Sequence, residues 1–193
     1  MSEAARSAFN PLKPHKEHYG VLKNYIDGEW VESTTDRLLD ITNPATDAVI
    51  GQVPLSTKSE MDAAVESAQE AWWDWRSTPP IVRSRYMFKI KELLEKHFED
   101  ISRVATQEHG KTIDEARGET RRAIENIETA AGIPSLMMGY NLEDGAAKNI
   151  DESVIRQPMG VFGHVAPFNF PGMVPYWFWP YALGEGELSW HPG

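Results

Sequence analysis

The chain has 193 residues, 29 acidic against 19 basic side chains, a formal net charge of −10 and 41% hydrophobic residues. This composition suits a globular fold rather than a disordered tail, and its acidic balance weighs against nucleic-acid binding. It contains no cysteine, so disulfide, zinc-thiolate and thiol-nucleophile chemistry are excluded within these residues.

Residues 1–23 hold two prolines and three lysines with little periodicity, and read as a mobile arm. The first residues lack the apolar core of a signal peptide. From Asn24 the pattern turns extended. Asn24–Ile26 and Glu29–Val31 flank Asp27-Gly28, which suits a tight hairpin turn with positive φ. A second extended pair, 38–42 and 48–53, surrounds the turn signal Asn43-Pro44-Ala45-Thr46.

The period then becomes helical. Met61, Ala64, Val65, Ala68, Ala71, Trp72 and Trp75 mark a first helix, opened by a capping box from Thr57 and Glu60 and broken by Pro79-Pro80. Tyr86, Met87, Ile90, Leu93 and Leu94 mark a second. Phe98, Ile101, Val104 and Ala105 mark a third, ending near Gly110. Thr112 and Glu115 open a fourth through Ile113, Ala116, Ala123, Ile124, Ile127 and Ala131, stopped by Gly132 and Pro134. Residues 139–151 are polar and irregular. Ser153–Gln157 reads as a strand. Val161, Phe162 and Val165 suit a short strand of a buried parallel sheet, leading into Ala166-Pro167-Phe168-Asn169-Phe170-Pro171 and a helical apolar stretch. The longest apolar run, Met173–Leu183, carries two prolines and is too short to span a bilayer; no membrane partner and a cytoplasmic location are expected.

Gly110-Lys111-Thr112 has the look of a phosphate loop. The required glycine five residues earlier is Ala105, and a helix rather than a strand precedes it. The better reading is one helix's C-cap followed by the next helix's N-cap. His15 and His18 have no third ligand nearby, so no metal site is expected. Trp72 and Trp75 read as core anchors, with Trp73 on the other side. Ala166–Pro171 carries more. Ligands gather at the C-terminal edge of parallel strands, and here two prolines hold one amide side chain between them. Asn169 reads either as a local turn-former or as a donor aimed at a developing oxyanion.

That hexapeptide resembles the strand-end motif of the aldehyde dehydrogenases. Tyr25–Trp30, Asn43–Thr46 and Glu108–Thr112 are similar to the family's N-terminal landmarks, in the same order. Phe168, Arg122–Asn126 and Pro134–Gly139 look most like the CoA-acylating methylmalonate-semialdehyde dehydrogenase branch. The resemblance implies an α/β fold: an incomplete, N-terminal part of the aldehyde dehydrogenase fold, a Rossmann-type NAD-binding domain with a helical N-terminal portion. It divides the chain into hairpins and helices at 24–139, an oligomerisation arm at 140–158, a first strand–loop–helix at 159–183 and a non-family tail at 184–193. It further implies NAD as cofactor, CoA as co-substrate, a homo-oligomeric parent, and oxidation of methylmalonate or malonate semialdehyde to an acyl-CoA through a cysteine thioester. Asn169 would stabilise the oxyanion, Ala166 and Phe168 would contact the cofactor, and Arg122 would read the substrate carboxylate, for which a guanidinium fork is suited. The family's cofactor lysine, general-base glutamate and nucleophilic cysteine lie beyond the matching region, so this chain reads as a truncated, inactive form produced by a broken gene or a frame shift. Two other readings stay open: an NAD-dependent aldehyde dehydrogenase of another substrate class, and a non-enzymatic helical module that binds through apolar surface.

Overall fold

A computed structural model describes residues 14–186 and 188–190. Its strands form four separate two-stranded ladders. The first joins β1 (Asn24–Ile26) and β2 (Glu29–Val31). Asp27 and Gly28 both have positive φ, 52° and 78°, the primed turn that matches strand twist. β3 (Leu38–Thr42) and β4 (Val49–Pro54) pair antiparallel, with a register shift at Ile41/Thr42.

Residues 14–23 differ from the mobile arm expected of them. Tyr19 donates its amide to Ile50 (2.7 Å), Gln52 donates to Gly20 (2.9 Å) and Leu22 to Gln52 (2.8 Å), so the segment lies parallel beside β4. The Tyr19 hydroxyl donates to Gln107 (3.0 Å), whose own amide donates to the Lys16 carbonyl (3.0 Å). His15 meets Asp100 at 3.2 Å. These backbone partners lie far along the chain, and local composition carries no trace of them. Residues 1–13 lie outside the described residues.

Four helices follow where the periodicity predicts them: α1 (Lys58–Ser77), α2 (Pro80–Lys96), α3 (Phe98–His109) and α4 (Ile113–Ala131). α1 opens on the Thr57/Glu60 capping box. The Glu60 carboxylate accepts the amides of Thr57 and Thr34, both at 2.6 Å, and those bonds hold its pKa down to about 2. α4 opens on the Thr112/Glu115 box. Gly110 closes α3 at φ 85°. A Cβ there would stand 2.7 Å from Pro44 Cγ, so the Asn43–Thr46 turn packs where only glycine fits. Gly132 ends α4 without a left-handed cap, and Pro134 then sits in the first turn of a short α5 (Ile133–Leu136).

The core lies between α2 and α4. Met87 and Leu94 pack with Ile124, Ile127, Ala130 and Ala131, and Phe98 and Ile101 close the side toward α3. Ser102 and Thr120 satisfy each other across the α3–α4 contact at 3.0 Å, which lets two hydroxyls be buried cheaply. Tyr86 and Leu93, which help mark the helical period of α2, are exposed.

β5 (Tyr140–Leu142) and β6 (Glu152–Val154) form an antiparallel hairpin whose strands are exposed throughout. β5 falls inside the stretch read as irregular, and β6 is shorter than the strand expected over 153–157. A Cβ on Gly139 would reach within 1.5 Å of the Val154 carbonyl oxygen, so backbone crowding admits only glycine at the hairpin's base.

β7 (Val161–Gly163) leads through the Ala166–Pro171 loop into a 3₁₀ turn (Val174–Trp177) and α6 (Trp179–Glu185). β7 pairs in parallel with β8 (Leu188–Trp190), which lies in the stretch expected to be a tail. Val174 is buried, because the turn that carries it packs on α4. Val165 and Phe170 are exposed.

Arg83 is a buried cation. It is 1% exposed, and its guanidinium donates to the carbonyls of Gly184 (2.7 Å), Glu185 (3.1 Å) and Thr78. It thereby ties the end of α1 to the end of α6. Burial pulls its pKa below the ordinary value, and Glu185 opposes that shift. Trp75 adds a second tie, its indole N–H donating to Leu183 (2.9 Å). Trp73 is exposed. Among the described residues no helix is long and apolar enough to cross a membrane.

Candidate functional site

The loop after β7 is held from behind and open in front. Phe170 accepts the amides of Met173 (3.2 Å) and Val174 (3.1 Å), turning the chain into the 3₁₀ segment. Pro167 and Pro171 fix φ on either side of Phe168 and Asn169. Phe168 is 92% exposed, and Ala166 is half-buried. Asn169 is exposed, and its side-chain amide has no protein partner among the described residues. Residues 168 and 169 do form a turn, but no side-chain bond of Asn169 closes it among the described residues. The backbone of residue 169 is committed, and its side chain is left to face outward.

That commitment comes from residues outside the loop. Lys111, between α3 and α4, donates to the Asn169 carbonyl at 3.3 Å and pairs with Glu119 of α4. Glu119 accepts the Gly172 amide at 2.6 Å through its other oxygen. The two side chains are 8% and 1% exposed. The Lys111 ammonium also stands 4.7 Å from the centre of the Phe170 ring. So the Gly110-Lys111-Thr112 segment is a C-cap followed by an N-cap, as read, but its lysine reaches the loop. The signal for Glu119 was present in the sequence: it falls on the same helical stripe as Ala116, Ala123 and Ile127, where a carboxylate needs a buried partner. Arg83 is four residues before Met87 on the apolar stripe of α2, and the same reasoning would have found it.

Arg122 lies one turn beyond Glu119 on α4, on the exposed face. Its neighbour Arg121 engages Glu95 at 2.7 and 3.2 Å. Arg122 makes no ion pair with Glu125 or with any other acid among the described residues. Ala166, Phe168 and Asn169 thus share one loop, Arg122 stands on the helix that braces it, and Glu119 links the two. Of the two arm histidines, His15 faces Asp100, and His18 Nδ1 accepts the Gly20 amide at 2.9 Å.

A cavity of about 360 Å³ opens between α1 and β7, lined by Val65, Gln69, Trp72, Met159 and Val161 among others. It lies beside the start of β7 and is lined by none of the loop residues.

A model of the aldehyde dehydrogenase family matches residues 30–188. The malonate-semialdehyde dehydrogenase of Listeria monocytogenes serotype 4a (strain HCC23) is 49% identical over 166 residues, 86% of this chain and 34% of that protein. Malonate-semialdehyde dehydrogenase 2 of Oceanobacillus iheyensis is 47% identical over the same shares. A structure from Sinorhizobium meliloti 1021, described as a methylmalonate-semialdehyde dehydrogenase complexed with NAD, superposes with a TM-score of 0.85 at 40% identity, covering 90% of this chain and 35% of that one. The chain thus spans about a third of the length of the curated relatives it matches.

Proposed function

We propose that this chain, which belongs to the aldehyde dehydrogenase family, supplies the oxyanion donor and the first strand–loop–helix of the cofactor domain to an NAD-dependent, CoA-acylating oxidation of malonate or methylmalonate semialdehyde. The observation that carries this reading is Asn169: a side-chain amide with no protein partner among the described residues, on a loop whose backbone is bound at residues 169 and 172. A donor fixed before reaction stabilises developing negative charge without reorganising, and that is the main electrostatic contribution available to a protein.

NAD fits the residues present. The loop leaves the end of a parallel strand, the usual place for a dinucleotide, with Phe168 projecting and Ala166 beside it. These two residues would hold the nicotinamide end, and the cofactor when bound accepts hydride. Arg122 would orient the carboxylate of the semialdehyde, and its lack of an acidic partner supports that use. CoA would take the acyl group. The thiolate that attacks the aldehyde is not among these 193 residues, which contain no cysteine.

The relatives' names support the substrate class, and 48–49% identity to several malonate-semialdehyde dehydrogenases favours it over other aldehydes. The exposed apolar side chains of the 140–158 hairpin, Tyr140, Leu142, Val154 and Ile155, support its use as an oligomerisation arm of a homo-oligomer. The test is a chimera in which residues 20–183 replace the matching part of the Listeria enzyme. NADH formation from malonate semialdehyde, NAD and CoA is expected. A folded chimera that binds NAD yet forms no NADH would overturn the proposal.

A further inference from the structure

Asn169 is held by a device that lies wholly outside its own loop. Lys111 stands between two locked helix ends, the left-handed Gly110 cap and the Thr112/Glu115 capping box. Its backbone therefore has little freedom to drift. Its ammonium reaches past the helix junction to the Asn169 carbonyl and the Phe170 ring. Glu119 neutralises it and uses its remaining oxygen on the Gly172 amide. Both charges are nearly removed from water, and burying them is favourable only where the geometry satisfies each group. Here each group is satisfied by the other and by the loop backbone.

We propose that Lys111 and Glu119 are the positioning residues of the Asn169 loop. Lys111 fixes the peptide after Asn169 by its carbonyl, and Glu119 fixes the chain three residues later by its amide. With both ends held, the Asn169 side chain has one outward course. The inference that this sets the oxyanion donor rests on the role proposed for Asn169 above; the strut itself does not. The rigid two-proline motif is then insufficient alone, and the orientation of the donor is written in the α3–α4 junction, with Lys111 58 residues before Asn169.

Amide exchange of the 193-residue chain, read by mass spectrometry, tests the strut. The Gly172, Met173 and Val174 amides report on the loop, and those of residues 124–131 on the α4 core. Lys111→Met should speed loop exchange about tenfold or more while the α4 core changes by less than about threefold, because only the local opening is released. Glu119→Gln should act in the same direction. Lys111→Arg, which keeps a cation there, should restore most of the protection. The double variant Lys111→Met/Glu119→Gln leaves no buried unpaired charge, and it should show the same selective loss if the single variants unfold. Unchanged loop exchange, a parallel rise in loop and core, or no rescue by arginine would overturn the proposal. In the chimera, Lys111→Met should lower kcat with little change in KM for NAD. Selective loop opening without a fall in kcat would leave the strut standing and remove the oxyanion role of Asn169.

Discussion

Replacing Arg83 by Met should detach the end of α6 from the helical layer. Methionine keeps most of the stem's volume but removes the fork that serves the carbonyls of Thr78, Gly184 and Glu185. Hydrogen bonds to a charged group contribute about 1.5–3 kcal/mol each, so the gross loss is about 4.5–9 kcal/mol. Two effects reduce it. The variant no longer buries a guanidinium whose pKa desolvation already depresses, and carbonyls at a helix end regain water when it frays. The net cost is therefore about 2–4 kcal/mol. Lysine should not rescue it, because one ammonium cannot span three acceptors in a planar fork. Urea unfolding followed by tryptophan fluorescence measures the loss, since Trp75 bonds to Leu183 next to the fork. Amide exchange should localise the first opening to residues 179–186. A cost below about 1 kcal/mol, or full rescue by lysine, would refute the reasoning and make Arg83 incidental to the unit that carries the loop.

Glu60 has a depressed folded pKa, so its contribution is present above the ordinary carboxylate range and is lost as pH falls through about 2; an NMR titration of its side chain should show that midpoint, and one near 4.5 would mean the capping box is not formed in solution. Gly110→Ala should cost about 2–3 kcal/mol, from left-handed strain at φ 85° plus the contact with Pro44; a denaturant midpoint equal to wild type would contradict the close packing of the Asn43–Thr46 turn. Arg122→Gln in the chimera should lower kcat/KM for malonate semialdehyde by roughly tenfold to a hundredfold, the value of bonds to a charged group, and leave propanal nearly untouched. Equal losses on both substrates would make Arg122 a helix cation with no part in recognition.

The helices and their caps were legible because their determinants are local. Thr57 with Glu60, Gly110, and Thr112 with Glu115 each act within a few residues, and the apolar stripes of α2 and α4 repeat at helical spacing. The loop was legible for the same reason, since two prolines and one asparagine occupy six positions. What escaped depends on partners distant in sequence. β5 is three exposed residues, too few for a period to show, and it forms opposite Glu152–Val154. Residues 19–22 are ordered by β4. The Lys111–Glu119 pair and Arg83 take their meaning from carbonyls and amides 50 to 100 residues away. In each, the sequence carried half of a sign, a charge on an apolar stripe or beside a cap, but the other half exists only once the chain has folded.

The central claim is that Asn169 on this braced loop stabilises the oxyanion of aldehyde oxidation. Asn169→Ala in the chimera, assayed by NADH absorbance with malonate semialdehyde and CoA, tests it most directly. Loss of one preorganised oxyanion donor should lower kcat by roughly 10²–10³-fold while KM for NAD stays within about threefold. An unchanged kcat accompanied by a collapse of NAD affinity would contradict the account and make Asn169 a cofactor-binding residue instead.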